Sequence, residues 1–379
     1  MNDNPLTQRT TRREALKGGA GAFLAIGALS GLGGLGLSAC GSSGSSTTAG
    51  VVKPKPDGDI TWFTWESYIE PKVLAAFEKR YGVKVNQVYF DNPESMLAKV
   101  AAGLPYDLIT TNSAFNKRMI EGNLLQPFDP TELKTWEHIT PYFRSPSYDD
   151  GTDRYSIPYA YGPAGIAYQP DKVQVTGSWN DFWENEEAKG HIYLLDEEGE
   201  TMTMSLIRLG YDLNSGDEEQ VTQAAEELLA VKPSLAAFSS DLETEFGGGN
   251  AWLSHAWGGT TLQVLKTLKP QEAEKWSFEW PKEGLSMGCD TLSVGAKAKS
   301  PGTALTFMEF ILQPENSAAN VAYTGYPNGT TAGNAAYKEA TDEFPFLYLK
   351  TDPKQFKWRE SPTGSRLTLW NEQWSRVTA

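Results

Sequence analysis

Ile60-Thr61-Trp62-Phe63-Thr64, followed by Pro71 to Gly82 and then residues 83–89, decides the fold class of this chain. The first run is rich in aromatic and β-branched residues and reads as a strand. Pro71 opens a helix with Val73, Leu74 and Phe77 on its apolar side, and Gly82 closes it. Residues 83–89 read as a second strand, and 93–102 as a second helix with Met96 and Val100 on one face. Asp107-Leu108-Ile109-Thr110-Thr111 is a third strand and 115–120 a third helix. Strands alternating with helices of this length are βαβ units and predict a parallel sheet.

Working outward, the alternation breaks near Tyr155-Ser156-Ile157-Pro158-Tyr159. Residues 157–168, with Gly162, Pro163 and Gly165, read as an extended crossing into a second series. That series runs through 192–195, 202–209, a long amphipathic helix at 218–231, 251–256 and 262–268. Phe278-Glu279-Trp280-Pro281 begins a second crossing that reaches Thr291-Leu292-Ser293-Val294. Helices follow at 303–312, 315–324 and 366–377, and no internal repeat is visible. The expectation is an α/β chain of two lobes joined by two extended crossings, with a cleft between them. Lobe 1 is read as 59–160 plus 286–333, and lobe 2 as 161–285 plus 334–379.

The N-terminal region reads as an address. Arg12 and Arg13 precede a Gly/Ala/Leu run from Gly18 to Leu37, which ends in Leu37-Ser38-Ala39-Cys40. A basic head, an apolar middle and small residues before a cut site describe an export signal over 1–39. The paired arginines suggest the twin-arginine route, although Ala15 stands where such signals usually carry Phe. The ending resembles the lipobox of bacterial lipoproteins, which implies lipidation of Cys40 and anchoring at the outer face of the cell membrane. A membrane-spanning helix is the competing reading, but its many glycines make a poor helix. Residues 40–58 are Gly/Ser/Thr-rich, then Pro/Lys-rich, and read as a flexible tether with order beginning at Asp59.

Composition narrows the function. The formal net charge is −15. Removing 1–39 makes the remainder more acidic, because Arg9, Arg12, Arg13 and Lys17 outnumber Asp3 and Glu14. Such a chain is a poor partner for nucleic acid. With Cys40 taken by lipid, Cys289 has no partner for a disulfide. His138, His191 and His255 are not at ligand spacing, so neither a metal nor another cofactor is expected. There is no Gly-x-Ser-x-Gly elbow and no His-Glu-x-x-His, and Cys289 beside Asp290 is a poor nucleophile. No catalytic residue is assigned. An exported enzyme and a structural lipoprotein are the rival classes.

Ligands of open α/β sheets bind beyond the carboxyl ends of strands. Those positions hold Trp65-Glu66-Ser67-Tyr68, Asn112-Ser113-Ala114-Phe115, Asp196 to Glu200, Trp257, Asp290, Tyr326 and Arg359. Aromatic faces attract ammonium groups and cover methylenes, and carboxylates supply the counter-charge. A flexible alkylamine uses all three contributions.

Trp65-Glu66-Ser67-Tyr68, Tyr106-Asp107-Leu108, Tyr155 to Tyr159, Arg208-Leu209-Gly210-Tyr211, Trp280 to Gly284 and Gly325-Tyr326-Pro327 occur in an order that resembles family 1 extracellular solute-binding proteins. Within that family the chain is similar to the spermidine/putrescine-binding proteins. The resemblance covers roughly Asp59 to the C-terminus. It implies a type II periplasmic-binding-protein-like fold, a monomer that delivers an organic amine to the permease subunits of an ABC importer. It also implies that Trp65, Tyr68, Trp257 and Tyr326 box the amine chain and that Asp290 pairs with an amine nitrogen. Glu197 and Glu200 match two further carboxylates, Glu197 replacing an Asp. Ser113 and Phe115 complete the expected lining. Three positions depart from the pattern: Ala114 replaces a Tyr, Gly288 a Trp and Arg359 a Gln. A wider pocket follows, with a cation in it. Arg359 either meets an anionic group on a zwitterionic ligand or pairs with one of the glutamates.

Overall fold

The computed structural model describes residues 52–144, 154–350, 357–360 and 362–379. The expected export signal, Cys40 and the first part of the tether lie outside the described residues.

β1 (Ile60–Thr64), β2 (Val85–Tyr89) and β3 (Leu108–Asn112) are connected by α1 (Pro71–Tyr81) and α2 (Pro93–Ala101), and α3 (Ser113–Glu121) follows. Their ends have local causes. Pro71 and Pro93 stand in first turns, where a helix needs no N–H donor. The Asn92 side chain accepts from the Ser95 N–H, and Gly82 ends α1 at φ 69°. β1 pairs in parallel with both β2 and β3. Its side chains alternate between two cores: Ile60 and Trp62 pack with Phe77 and Phe307, while Phe63 packs with Phe90, Met96 and Met119.

β4 (Leu125–Gln126) and β5 (Ser156–Gly162) belong to the same sheet. Pro163 alone separates β5 from β6 (Ala164–Tyr168), which lies in a second sheet. That is the first crossing. The second sheet continues with β7 (Ile192–Leu194), β8 (Leu235–Phe238), β9 (Leu253–Trp257) and β10 (Ser277–Glu279), in the order β10-β6-β9-β7-β8. Its helices are α4 (Asp181–Glu184), α5 (Glu198–Arg208), α6 (Glu218–Val231), α7 (Leu242–Gly247), α8 (Gly258–Thr267) and α9 (Pro270–Ala273). The second crossing leads from β10 to β11 (Ser286–Gly295), back in the first sheet. β11 runs antiparallel to β3, β4 and β5, so the sheet is mixed rather than wholly parallel. The chain then forms α10 (Pro301–Ile311), α11 (Pro314–Thr324), α12 (Thr331–Ala340), β12 (Lys357–Trp358) and α13 (Gly364–Thr378).

Two features differ from the sequence reading. Order starts before Asp59. The Asp57 carboxylate accepts from the Gly302 and Thr303 N–H groups, which the first turn of α10 would otherwise leave unpaired. Residues 52–58 are thereby held to the first sheet's helices. The C-terminal stretch is also divided. β12 pairs with β11 at the edge of the first sheet, while Trp370 and Val377 of α13 enter the core of the second. The chain returns to the first sheet before it reaches α6.

Asp107 explains one of the recognised motifs. It is buried; one oxygen accepts from the Thr61 N–H at 2.8 Å, the other from Lys299 and Ser300 N–H at 2.6 and 2.8 Å. It thus ties β1 and β3 to the turn before α10. Asp107→Ala would leave the Thr61, Lys299 and Ser300 N–H groups without this partner, at about 1–3 kcal/mol for the buried Ser300 donor and less for each of the two nearer solvent. The expected loss is about 3 kcal/mol, read as a lower urea midpoint at unchanged slope.

Candidate functional site

Asp290 is the centre of the candidate site. Three strands bring it there: it lies on β11, opposite Asn112 of β3 and Ala160 of β5. One carboxylate oxygen accepts from Tyr68 OH at 2.6 Å and Trp65 Nε1 at 3.0 Å, and the other accepts from Asn112 Nδ2 at 2.7 Å. Trp65 and Tyr68 reach it from the loop after β1, where Ser67 holds φ 55°, a left-handed conformation unusual outside glycine. Asn112 serves two structures at once, because its Oδ1 also accepts from Ala114 N–H and caps α3. The Tyr68 ring meets Tyr159 edge-on at 5.3 Å, and Trp65 meets Phe90 at 4.4 Å.

Among the described residues no Lys or Arg forms an ion pair with Asp290; Arg359 acts on it only through space. Burial pushes its carboxyl above the usual range, and the three donors and Arg359 oppose that. The same desolvation, with the Asp290 charge adding to it, raises the Tyr68 hydroxyl well above its ordinary value. The result is a carboxylate with neutral donors and no cation in contact.

A second acidic group lies on the other sheet's side. Glu197 is the N-cap of α5, accepting from Glu200 N–H at 2.9 Å. Arg359, one residue past β12, donates through Nη1 to both Glu197 oxygens at 3.0 and 3.1 Å. Its Nη2 lies 3.0 Å from Glu200 Oε1. Glu200 also accepts from Ser286 Oγ at 3.1 Å and Trp257 Nε1 at 3.4 Å. The side chains of Arg359, Glu197 and Glu200 are only 10, 15 and 5 % exposed. Burial raises the Glu200 carboxyl while Arg359 lowers it; for Arg359, the attraction of Glu197 and Glu200 outweighs desolvation and holds the proton.

Gly199 makes room for this clasp, and Gly288 lies beside it. A Cβ on Gly199 would lie 2.0 Å from Arg359 Nη1, and one on Gly288 would lie 3.9 Å from Nη2. Gly199→Ala must therefore move the guanidinium off α5. The expected outcome is a lower melting temperature that is not additive with substitution of Arg359, because both act on one contact.

The structure sorts the ten expected positions. Trp65, Tyr68 and Asp290 form one cluster, and Glu197, Glu200, Trp257 and Arg359 another. Tyr326 packs its ring against Gly259, with its hydroxyl 2.7 Å from Thr260 Oγ1. Ser113 is spent on structure: its Oγ accepts from Cys289 N–H at 3.1 Å. Phe115 lines a cavity of about 280 Å³ together with Glu94, Arg118, Glu198, Arg359 and Trp370. Asp290 is not among the residues that line it. Burial, then Glu94 and Glu197, push the Glu198 carboxyl up to about 7. Ala114 is buried and also faces this cavity. Asn112 and Gly199 fall in the strand-end stretches named from the sequence but had no role assigned there, and Ser286 was not anticipated. Asn112 carried a signal, since an Asn before a helix reads as a cap, but nothing local gave it a second partner.

Two sheets joined by extended crossings, with aromatic and acidic side chains gathered where the strands end, define a ligand receptor of the two-lobed kind. The chain belongs to the bacterial extracellular solute-binding proteins, whose family model matches residues 72–344. It is 27 % identical over 326 residues to the spermidine/putrescine-binding periplasmic protein of Escherichia coli, covering 84 % of this chain and 91 % of that one. The putrescine/agmatine-binding protein of Pseudomonas aeruginosa is 27 % identical over 305 residues, covering 76 and 83 %. The crystal structure of the spermidine/putrescine transporter substrate-binding protein of Streptococcus pneumoniae superposes with a TM-score of 0.71 at 25 % identity. It covers 85 % of this chain and all of that one.

Proposed function

We propose that this chain captures an organic amine of the polyamine class and delivers it to the permease of an ABC importer, and that Asp290 is the anchor for an ammonium group. The observation that carries this reading is a half-buried carboxylate held by Trp65, Tyr68 and Asn112, with no cation among the described residues in contact with it. An ammonium about 4 Å from such a carboxylate gains about 4 kcal/mol at an effective dielectric of 20. Each aromatic face adds about 0.5–2 kcal/mol. The names of the relatives above support the same ligand class.

Capture works by closure about the two crossings at Pro163 and between β10 and β11, with ligand favouring the closed form through contacts to both sides. Trp65 and Tyr68 come from the first sheet and Trp257 from the second, so the aromatic box is complete only when the two approach. Both Arg359 Nη atoms are occupied by glutamates, which favours a cationic over a zwitterionic ligand. The protein works as a monomer, anchored outside the cell membrane through lipidated Cys40. Loss of radiolabelled palmitate incorporation in Cys40→Ala tests the anchor.

A thermal-shift panel of putrescine, spermidine, γ-aminobutyrate, betaine and glucose tests the ligand class. A ligand at a hundred times its Kd adds about 2.7 kcal/mol to stability, so binding amines raise the melting temperature by several degrees. A rise with glucose and none with any amine contradicts the proposal.

A further inference from the structure

We infer that Arg359 is a built-in counter-cation that occupies the second acidic group of the cleft, so that this receptor selects amines with one ammonium, at Asp290, and a neutral far end. The inference rests on the amine reading above and narrows it.

One face of β11 carries the relevant groups. Residues two apart on a strand share a face, so Ser286, Gly288 and Asp290 point the same way. Each marks one station. Asp290 is the carboxylate held by neutral donors alone. Gly288 has no side chain, and the Arg359 guanidinium lies beside the space its Cβ would take. Ser286 donates to Glu200. Strand rise is about 3.3 Å per residue, so the Gly288 station is about 7 Å from that of Asp290. A ligand chain leaving Asp290 along β11 therefore meets a guanidinium about two residues on.

That guanidinium is fixed. Arg359 N–H donates to Met287 O at 3.0 Å, which sets its backbone on the sheet edge. Its two Nη atoms bind three carboxylate oxygens, and Gly199 leaves the room to do so. The fourth oxygen, Glu200 Oε2, holds Ser286. A second ammonium would thus find all four glutamate oxygens already engaged, three of them by a buried guanidinium that would repel it at close range, even though one of the two carboxylate charges is left unbalanced. A neutral amide or hydroxyl at the same place meets no such repulsion. Gly288 keeps the strand face beside the guanidinium clear, since a Cβ there would already stand 3.9 Å from Nη2.

Titration calorimetry of the purified chain with putrescine and with N-acetylputrescine tests this. The two share a carbon chain, and acetylation leaves one ammonium. The wild type is expected to bind N-acetylputrescine at least as tightly as putrescine. Arg359→Gln is expected to reverse the order, favouring putrescine by tenfold or more. That variant leaves two buried carboxylates facing each other, so the charge-balanced E197Q/R359Q, which keeps Glu200, is titrated beside it and shows the same reversal. A wild-type preference for putrescine of tenfold or more overturns the inference whatever the variants do. So does an order that neither substitution changes. If a folded wild-type chain binds neither compound nor any amine in the thermal-shift panel, the parent reading fails and takes this inference with it.

Discussion

Asp290→Asn lowers the affinity for an ammonium ligand about a hundredfold or more and leaves the empty protein folded. Removing one partner of a hydrogen-bonded charge pair costs about 2–5 kcal/mol of binding, and each 1.4 kcal/mol is tenfold. The unliganded fold loses far less. Asn keeps an acceptor for Tyr68 and Trp65, and only its amide nitrogen faces the Asn112 donor. Asn112 cannot simply turn, because its oxygen caps α3. The expected cost to folding is about 1 kcal/mol, measured by urea unfolding of the ligand-free variant. Wild-type affinity in D290N would remove Asp290 from the site.

The pH dependence has a definite direction. Burial raises the Asp290 carboxyl above the usual range. Ligand needs the ionised form, so affinity is full above that raised pKa and falls on acidification sooner than for an ordinary Asp. Stability of the empty protein runs the other way. A carboxyl whose folded pKa exceeds its unfolded one contributes stability below the unfolded pKa and loses it as pH rises through the folded pKa. Titrating binding and unfolding across pH 4–8 with D290N as the reference separates the two trends.

Arg359→Gln is expected to cost about 3–5 kcal/mol of stability near neutral pH, the range for breaking a buried ion pair by removing one partner. Total stability of a domain is about 5–15 kcal/mol, so this is a large share. The mechanism is the exposure of Glu200 to Glu197 without a cation, both with side chains at or below 15 % exposure. Arg359 is what lowers the Glu200 carboxyl against its burial. Without it that carboxyl rises further, and the variant regains stability as pH falls through its new value. E197Q/R359Q removes one charge of each sign and is expected to recover most of the loss at pH 7. A single variant as stable as wild type at neutral pH would show that the clasp carries no net energy.

The first five elements were legible because each had both a pattern and a stop. Ile60, Trp62 and Phe63 alternate between two cores, and Pro71 and Gly82 bracket α1. The two crossings were legible as β-rich runs around Pro163 and Trp280, and α6 matched residue for residue. α12, β8 and β12 were not. β8 is a half-exposed Leu-Ala-Ala-Phe without alternation, and β12 has two residues. Their existence depends on the strand beside them. The tether's end was misread because Asp57 acts through α10, far along the chain. At the candidate site, the resemblance named Asp290, Trp65 and Tyr68, which the structure brings into one hydrogen-bonded cluster, while Ser113 braces β11. Whether Arg359 would meet ligand or glutamate was open in the sequence, since it depends on how close residue 359 comes to residue 197. Gly199 leaves the room for that approach, since a Cβ there would lie 2.0 Å from Arg359 Nη1, and it does not signal this role locally.

The most direct test of the central claim is a crystal structure of the chain with N-acetylputrescine bound. The ammonium is expected within hydrogen-bond distance of the Asp290 carboxylate, between Trp65 and Tyr68, with Arg359 still on Glu197 and Glu200. A ligand seated in the cavity by Glu94 and Trp370, or an ammonium on Glu200 with Arg359 swung away, would contradict it.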